Sequence, residues 1–157
     1  MIMKKRYYLA YGSNLNVRQM CFRCPSARII GTAEIPGYQL LFKGSKTGSY
    51  LTIEPKENSS VPVGVWEVSA DDELRLDRYE GFPSFYYKKE LRLSIKGIKT
   101  GKVRERDCFV YIMHEERSIV IPSMSYFTVC CQGYDDFGFD PKYLVDAYGI
   151  SHKEVRE

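Results

Sequence analysis

The stretch from Tyr8 to Asn16, with the sequence YLAYGSNLN, restricts the fold more than any other part of the chain. Aromatic and apolar residues predict a strand over residues 6–11, and residues 16–23 predict a short helix that Pro25 ends. Gly12 breaks the strand at a point where a ligand or another backbone can approach closely. Backbone N–H groups at such a junction lack helical partners, so they can hold a small anion. The alternative interpretation is an ordinary Gly-Ser-Asn turn.

The size and composition of the chain predict a single globular domain. Its 157 residues are 44% hydrophobic and 14% aromatic, so the chain is long enough to bury a core and too apolar to be disordered. We expect one domain over residues 1–157, with a core over about 6–149 and a polar tail over 150–157.

Charge and hydropathy argue against two classes of partner. The formal net charge of +3 is too small to favour nucleic acid, and the basic residues beyond the cluster at positions 4–6 are scattered. No apolar run is long enough to cross a bilayer and no signal peptide is evident, so we expect a cytoplasmic protein without a membrane partner. Neither observation defines the oligomeric state.

The five cysteines do not form a disulfide framework or a clear metal site. Cys21 and Cys24 make a single CxxC, whereas a zinc site needs a second pair at similar spacing. Cys130 and Cys131 are adjacent and fit that role poorly. We therefore predict reduced thiols and no bound metal, and a redox role for Cys21 and Cys24 stays open.

Seven short segments have the composition of strands. Ile35, Pro36 and Gly37 predict a turn between two of them, and the polar segments 43–49 and 55–60 predict loops. Many short strands with few helices predict a closed or nearly closed sheet. The predicted strands are residues 6–11, 27–34, 38–43, 50–54, 61–68, 85–96 and 104–113.

A helix is predicted after the fifth of these strands. Ser69 with Asp72 three residues later forms a capping-box pattern, and the helix must end near Glu80 because Gly81 and Pro83 follow.

The C-terminal third changes to helical periodicity. Residues 123–137 predict one helix with Ser123 as its cap, and Asp140 with Pro141 begins another that ends before Gly149. Helices packed on a sheet of this kind predict an α+β fold, a barrel with helices on its surface.

Glu80 is the carboxylate with the most unusual local setting. It lies at the C-terminal end of a predicted helix, where the dipole opposes a negative charge, and Tyr79, Phe82 and Phe85 surround it in the sequence. The dipole and desolvation would both raise its pKa. Such a group is either a surface carboxylate or a general base held near its working pH.

A series of motifs, taken in order, resembles a known family. They are YGSNL at 11–15, LDxxEG at 76–81, a Tyr-Tyr pair at 86–87, YIM at 111–113, PSMSY at 122–126 and GYDDFG at 133–138. Together they resemble the γ-glutamylcyclotransferase (AIG2-like) family over about residues 8–148. The resemblance implies a small mixed β-barrel with a pocket at its mouth. It also implies cofactor-independent cleavage of a γ-glutamyl amide to 5-oxoproline and a free amine.

The same resemblance implies a role for particular residues. The α-amine of the substrate attacks its own γ-carbonyl, so the nucleophile is tethered and the protein needs no nucleophile of its own. Glu80 would act as general acid and base, and Tyr126 would donate its hydroxyl to the substrate. Tyr86 and Tyr87 are further candidates for the pocket wall. The segment that would bind the γ-glutamyl group consists of Tyr8, Leu9, Ala10, Tyr11, Gly12, Ser13 and Asn14.

The sequence does not define the leaving amine, and it leaves two other classes of function open. The amine could be an amino acid, a peptide, an alkylamine or a carrier-bound intermediate. Basic residues in the segments 43–49 and 98–105 are compatible with an acidic leaving group; they are Lys43, Lys46, Lys99, Lys102 and Arg104. A non-catalytic module that binds a γ-glutamyl or amino-acid ligand is the second hypothesis, and Glu80 argues against it. A structural domain would bind no small molecule.

Overall fold

Six strands, four helices and one 3₁₀ turn follow one another along residues 5–45 and 47–156, which the computed structural model describes. The strands are β1 (Arg6–Ala10), β2 (Arg28–Ser45), β3 (Gly48–Val68), β4 (Tyr86–Gly97), β5 (Val103–Met113) and β6 (Ser118–Ile119). The helices are α1 (Val17–Arg23), α2 (Ala70–Glu80), α3 (Met124–Phe137) and α4 (Lys142–Arg156), and the 3₁₀ turn is Ser13–Leu15.

Five of the strands close into a barrel. The order is β3-β1-β5-β4-β2, and β2 also pairs with β3 along most of its length. The β1–β5 pair is parallel and the others are antiparallel, so the barrel is mixed. β4 and β2 pair only near Gly31, where an added Cβ would lie 2.1 Å from the carbonyl oxygen of Lys96. The small mixed β-barrel with packed helices that the sequence predicts is therefore confirmed.

The prediction of seven short strands is wrong in its subdivision. The predicted turn at 35–37 and the predicted loop at 55–60 both lie inside the long β2–β3 hairpin. They face each other at one irregularity of the ladder, where Pro36 pairs with Ser60 and Tyr38 pairs with Pro55. Proline and a left-handed glycine interrupt the ladder here without ending either strand, because pairing resumes on both sides.

The predicted helix starts are confirmed, and one helix end is not. The capping box of α2 is formed by Ser69 and Asp72, and Gly81 ends that helix with φ 64°. α4 does not end before Gly149 but continues to Arg156, so most of the predicted polar tail is helical. Ser151, which is buried, and good helix formers after it outweigh the cost of one glycine, about 1 kcal/mol.

The core fills the barrel and the surface beneath α3. Trp66, Phe109 and Tyr134 are among its largest buried side chains. α3 packs on the 3₁₀ turn through Gly133, where an added Cβ would lie 2.6 Å from the backbone nitrogen of Asn16. None of the helices in the described part of the chain has the length and apolar character that a membrane span requires.

Candidate active site

The chain leaves the barrel after β1 and enters a buried polar turn. The 3₁₀ turn begins directly after Gly12, and no side chain caps it. The first N–H groups of this turn, those of Ser13 and Asn14, have no hydrogen-bond acceptor among the described residues. Both residues are buried, so these N–H groups are donors held without a protein partner.

The sequence predicted unpartnered N–H groups at the junction between the strand and the helix, but the start of α1 does not supply them. Asn16 caps the helix itself, because its side-chain oxygen accepts a hydrogen bond from the N–H of Gln19 at 3.1 Å. Asp136 of α3 accepts another from the N–H of Val17 at 3.0 Å. The N–H groups of Val17 and Gln19 are therefore already paired, and the donors beside the cavity are those of the 3₁₀ turn.

A cavity of 380 Å³ lies beside this turn. Residues from β1, the turn, β3, α2, β4, β5 and α3 line it, so the cavity joins parts of the chain that are far apart in sequence. The lining residues are Tyr8, Leu9, Tyr11, Gly12, Ser13, Asn14, Tyr50, Leu51, Arg78, Tyr79, Glu80, Gly81, Phe85, Tyr86, Tyr111 and Tyr126.

Most of the residues chosen from the sequence line this cavity, and two do not. Ala10 and Tyr87 are absent from its wall. Tyr87 follows Tyr86 in β4, and successive side chains of a strand point to opposite faces. Its hydroxyl donates to the carboxylate of Glu115 at 2.5 Å, on the outside of the barrel. Tyr87 is therefore not a pocket-lining residue, and Ala10 is buried behind the wall.

Sequence reasoning did not assign several side chains to the cavity wall. Tyr79 and Phe85 flank Glu80 in the sequence, and the aromatic residues there are a signal of its burial. Tyr111 and Leu51 carry no such local signal, because strand pairing alone brings them to the cavity. The missed lining residues are Tyr50, Leu51, Arg78, Tyr79, Gly81, Phe85 and Tyr111.

Glu80 is the one carboxylate in the wall of this cavity. It is the last residue of α2, next to the left-handed Gly81, and it keeps only a minor part of its surface exposed. Desolvation raises the pKa of Glu80 from 4.5 to about 8, and the positive charge of Arg23 opposes that rise. Near neutral pH both its charged and its uncharged form are therefore accessible, as a general acid and base requires.

Arg23 connects Glu80 to the 3₁₀ turn from outside the cavity. Its guanidinium group donates a hydrogen bond to the side-chain oxygen of Asn14. The same group lies over the ring of Tyr79, with its carbon 3.5 Å from the ring centroid. The Tyr79 hydroxyl is in turn 3.0 Å from the hydroxyl of Ser13. Arg23 therefore holds both the turn and the end of α2, although it does not line the cavity.

Six tyrosines line the cavity besides Tyr50, and three of them donate their proton to the protein. Tyr11 donates to the carbonyl oxygen of Tyr111 at 2.7 Å, and Tyr86 donates to that of Leu51 at 2.7 Å. Tyr111 donates to the carboxylate of Asp77 at 2.6 Å. These hydroxyls can still accept a hydrogen bond but have no proton left for a ligand.

Tyr8 and Tyr126 differ, because each accepts a hydrogen bond from the protein. The side-chain amide of Asn14 donates to Tyr8 at 2.9 Å, and the N–H of Leu51 donates to Tyr126 at 3.1 Å. Burial raises the pKa of both tyrosines well above 10, so both keep their protons. The thiol of Cys130 also lies within hydrogen-bond reach of Tyr126, but sulfur is a weak acceptor. Tyr8 and Tyr126 can therefore donate to a ligand in the cavity.

The basic residues that the sequence placed near the leaving group lie elsewhere. Lys43 is buried in an ion pair with Glu54 and donates to the carbonyl oxygen of Glu115 at 2.8 Å. Lys99, Lys102 and Arg104 line a separate groove on the molecule, and Lys46 lies outside the described residues. Lys43, Lys99, Lys102 and Arg104 therefore do not line the cavity that contains Glu80.

The cysteines are free thiols in the described part of the chain. Cys21 is exposed and Cys24 is buried, with its thiol 3.6 Å from the carbonyl oxygen of Asp72. Within the described residues no three His, Cys, Asp or Glu side chains converge into a metal-binding group.

A tyrosine-lined cavity with one carboxylate in its wall, in a closed mixed barrel, is typical of a site for a small molecule. Residues 8–127 match the family described as Gamma-glutamyl cyclotransferase, AIG2-like. The chain therefore belongs to the γ-glutamylcyclotransferase, AIG2-like family, and the resemblance found in the sequence is confirmed.

Individual relatives agree with this assignment. The Gamma-glutamylcyclotransferase of Homo sapiens is 30% identical over 143 residues, which are 87% of this chain and 73% of the relative. That of Bos taurus is 31% identical over 144 residues, again 87% and 73% of the two chains. A solved structure described as Gamma-glutamyl cyclotransferase is 25% identical with a TM-score of 0.79, covering 92% of this chain and 86% of the other.

Proposed function

We propose that this enzyme cleaves γ-glutamyl amides by intramolecular cyclisation, with Glu80 as its general acid and base. The α-amino nitrogen of the substrate attacks the γ-carbonyl carbon and forms the C–N bond of 5-oxoproline. The amide C–N bond then breaks, and the amine leaves. One proton passes from the attacking amine to Glu80, and one returns from Glu80 to the leaving amine. The reaction consumes no water and needs no oxidant or reductant.

The observation that carries the proposal is the position of Glu80 in the same cavity as the free donors. Its pKa of about 8 lies close to that of an α-amine, so proton transfer between the two groups costs little free energy. Because the nucleophile is tethered, positioning supplies much of the rate acceleration. The protein itself must add a base, donors for the developing oxyanion and a site for the α-carboxylate.

The free donors of the cavity match the two anionic groups of the substrate. The N–H groups of Ser13 and Asn14 would bind one oxygen anion at the 3₁₀ turn. Tyr126 lies near Gly12, since an added Cβ there would be 3.5 Å from its hydroxyl oxygen. Tyr126 and Tyr8 would donate to the oxyanion that forms at the γ-carbonyl. A γ-glutamyl compound is thus the small-molecule partner, and five free thiols are typical of a cytoplasmic enzyme.

The experiment is release of 5-oxoproline from a panel of γ-glutamyl amides. The panel contains γ-glutamyl dipeptides, glutathione, ε-(γ-glutamyl)-lysine and γ-glutamyl alkylamines. Wild type, Glu80→Gln and the exposed control Glu116→Gln are compared from pH 6 to pH 10. We expect turnover of one substrate class, a loss of about 10² to 10⁴-fold in Glu80→Gln and little change in Glu116→Gln.

Two results would contradict the proposal in different ways. Turnover that survives in Glu80→Gln would exclude Glu80 as the base and leave the reaction in place. Tight binding of 5-oxoproline by wild type, without release from any member of the panel, would favour the non-catalytic binding module.

A further inference from the structure

A second concave surface lies apart from the cavity that contains Glu80. It has a volume of 630 Å³, within the range of about 300 to 1,000 Å³ that is usual for small-molecule sites. α1, the first residues of β2, and the β4–β5 hairpin form its walls, and it shares no lining residue with the first cavity. We call this surface the basic groove. Its lining residues are Tyr7, Val17, Cys21, Ala27, Arg28, Ile29, Ile30, Trp66, Ile95, Gly97, Lys99, Thr100, Lys102, Arg104 and Arg106.

The floor of the basic groove is apolar. Trp66 and Ile95 are 2% and 3% exposed and form its deepest part. Ile29, Ile30 and Tyr7 are half-buried and extend this surface toward solvent. An aliphatic or aromatic group placed here would remove further apolar surface from water, at about 25 cal/mol for each Å².

The rim of the basic groove is cationic and contains no carboxylate. Its five cationic side chains are Arg28, Lys99, Lys102, Arg104 and Arg106. Among the described residues none of the five has an ion-pair partner within 4.0 Å. The formal net charge of the whole chain is only +3, so this rim is a local concentration of positive charge.

The acidic residues that alternate with these cations in β5 are turned away. Glu105 and Asp107 form ion pairs with Arg92, at 3.5 Å and 2.9 Å. Because side chains alternate along a strand, Arg104 points to the opposite side, into the groove. Arg106 lines both the groove and the neighbouring surface that Glu105 and Asp107 line. The two arginines of β5 therefore lie next to the apolar floor, with Arg106 at the border to the acidic side chains.

We infer that the basic groove is a second ligand site, and that its ligand is a free organic anion with an apolar body, such as an aliphatic carboxylate. The five like charges repel one another, and an anionic head group would relieve that repulsion. The apolar part of the ligand would lie on the isoleucines and on Trp66. This inference does not rest on the γ-glutamyl reaction or on Glu80, and the groove shares no lining residue with that cavity.

Trp66 makes the site measurable, because it is the single tryptophan of the chain and part of the groove floor. The probe is decanoate, kept below its micelle concentration, and the signal is the intrinsic fluorescence of Trp66. Decanol has the same chain without the charge. We expect a saturable change with decanoate, a binding constant that weakens as salt is added, and a much weaker response to decanol.

Two double variants remove equal charge from different places. Arg104→Gln/Arg106→Gln loses two rim cations, and Lys142→Gln/Lys153→Gln loses two exposed cations of α4. An exposed ion pair changes affinity by up to about fivefold, so we expect decanoate to bind about tenfold more weakly to the groove variant. The α4 variant should bind as wild type does. Circular dichroism confirms that both variants are folded.

Several outcomes would overturn the inference. They are the absence of a saturable response, equal affinity for decanol and decanoate, and equal weakening in the two double variants. Binding to vesicles of phosphatidylcholine with phosphatidylglycerol, without binding of free decanoate, would also overturn it, because the rim would then be a surface for anionic lipid.

Discussion

Replacement of Glu80 by glutamine should make the protein more stable at alkaline pH. The pKa of Glu80 is about 8 in the folded protein and near 4.5 in an unfolded chain. Between these values the folded protein holds a proton that the unfolded chain has released. The free energy of unfolding therefore decreases as pH rises from 4.5 to 8, and the destabilisation is fully present above pH 8. Glutamine never ionises, so the variant avoids this loss.

The size of the effect follows from the pKa difference. At about 1.4 kcal/mol for each pH unit, a rise from 4.5 to about 8 corresponds to at most about 5 kcal/mol. Glu80 keeps part of its surface exposed, and solvent screening reduces the penalty. We expect Glu80→Gln to gain about 2 to 4 kcal/mol over wild type at pH 9 and close to nothing at pH 4.5.

Urea unfolding of wild type and Glu80→Gln at pH 4.5, 7 and 9 measures this difference. Glu116→Gln removes the same charge from an exposed position, and its difference from wild type should stay small at all three pH values. Equal stability of Glu80→Gln and wild type at pH 9 would refute the reasoning. So would a gain that is already complete at pH 4.5, because that gain could not come from ionisation.

Three further predictions concern the tyrosines, Arg23 and two glycines. Tyr126→Phe and Tyr86→Phe each lose one hydrogen bond to the backbone of Leu51. Of these two tyrosines, Tyr126 alone has a proton for the substrate, so we expect kcat to fall about 10²-fold in Tyr126→Phe and by far less in Tyr86→Phe. Equal losses in steady-state assays would exclude that donor role. Arg23→Gln removes the charge that lowers the pKa of Glu80, so the rise of kcat/KM with pH should move to higher pH if Glu80 is the base. An unchanged pH profile would contradict this. Gly133→Ala should lower the free energy of unfolding by more than about 2 kcal/mol, because its Cβ would meet backbone atoms at 2.6 Å. A Cβ at Gly149, in α4, would meet no atom within 4 Å, so Gly149→Ala should raise the free energy of unfolding by about 1 kcal/mol. Urea unfolding measures both variants, and a change of the same sign in both would disprove the packing argument.

Local sequence signals predicted much of the site. Ser69 and Asp72 predict the start of α2 and Gly81 predicts its end, so the position of Glu80 at the C-terminus of this helix could be predicted. The break at Gly12 likewise locates the turn beside the cavity. These features depend on backbone geometry over a few residues, which is what capping and turn residues encode.

Long-range pairing determines the features that the sequence did not predict. Leu51 and Tyr111 reach the cavity only because β3 and β5 pair with distant strands. Pro36 and Gly37 predict a turn locally, but the ladder on both sides holds the strand together. Lys43 is charged and belongs to a predicted loop, yet it is buried because Glu54 is its partner across the hairpin. The sequence around a residue does not indicate which residue of another strand will contact it.

The two hydrogen bonds on Leu51 have a consequence for the synthesis of the protein. Tyr86 donates a hydrogen bond to the carbonyl oxygen of Leu51 and Tyr126 accepts one from its N–H, so three distant parts of the chain meet at this residue. A growing chain on the ribosome contains β1 and the 3₁₀ turn early, but it lacks Tyr126 until α3 is made. Contacts of such long sequence separation form late in folding. Truncated chains released before α3 should therefore be inactive, and the amide of Leu51 should resist hydrogen exchange only in the completed protein.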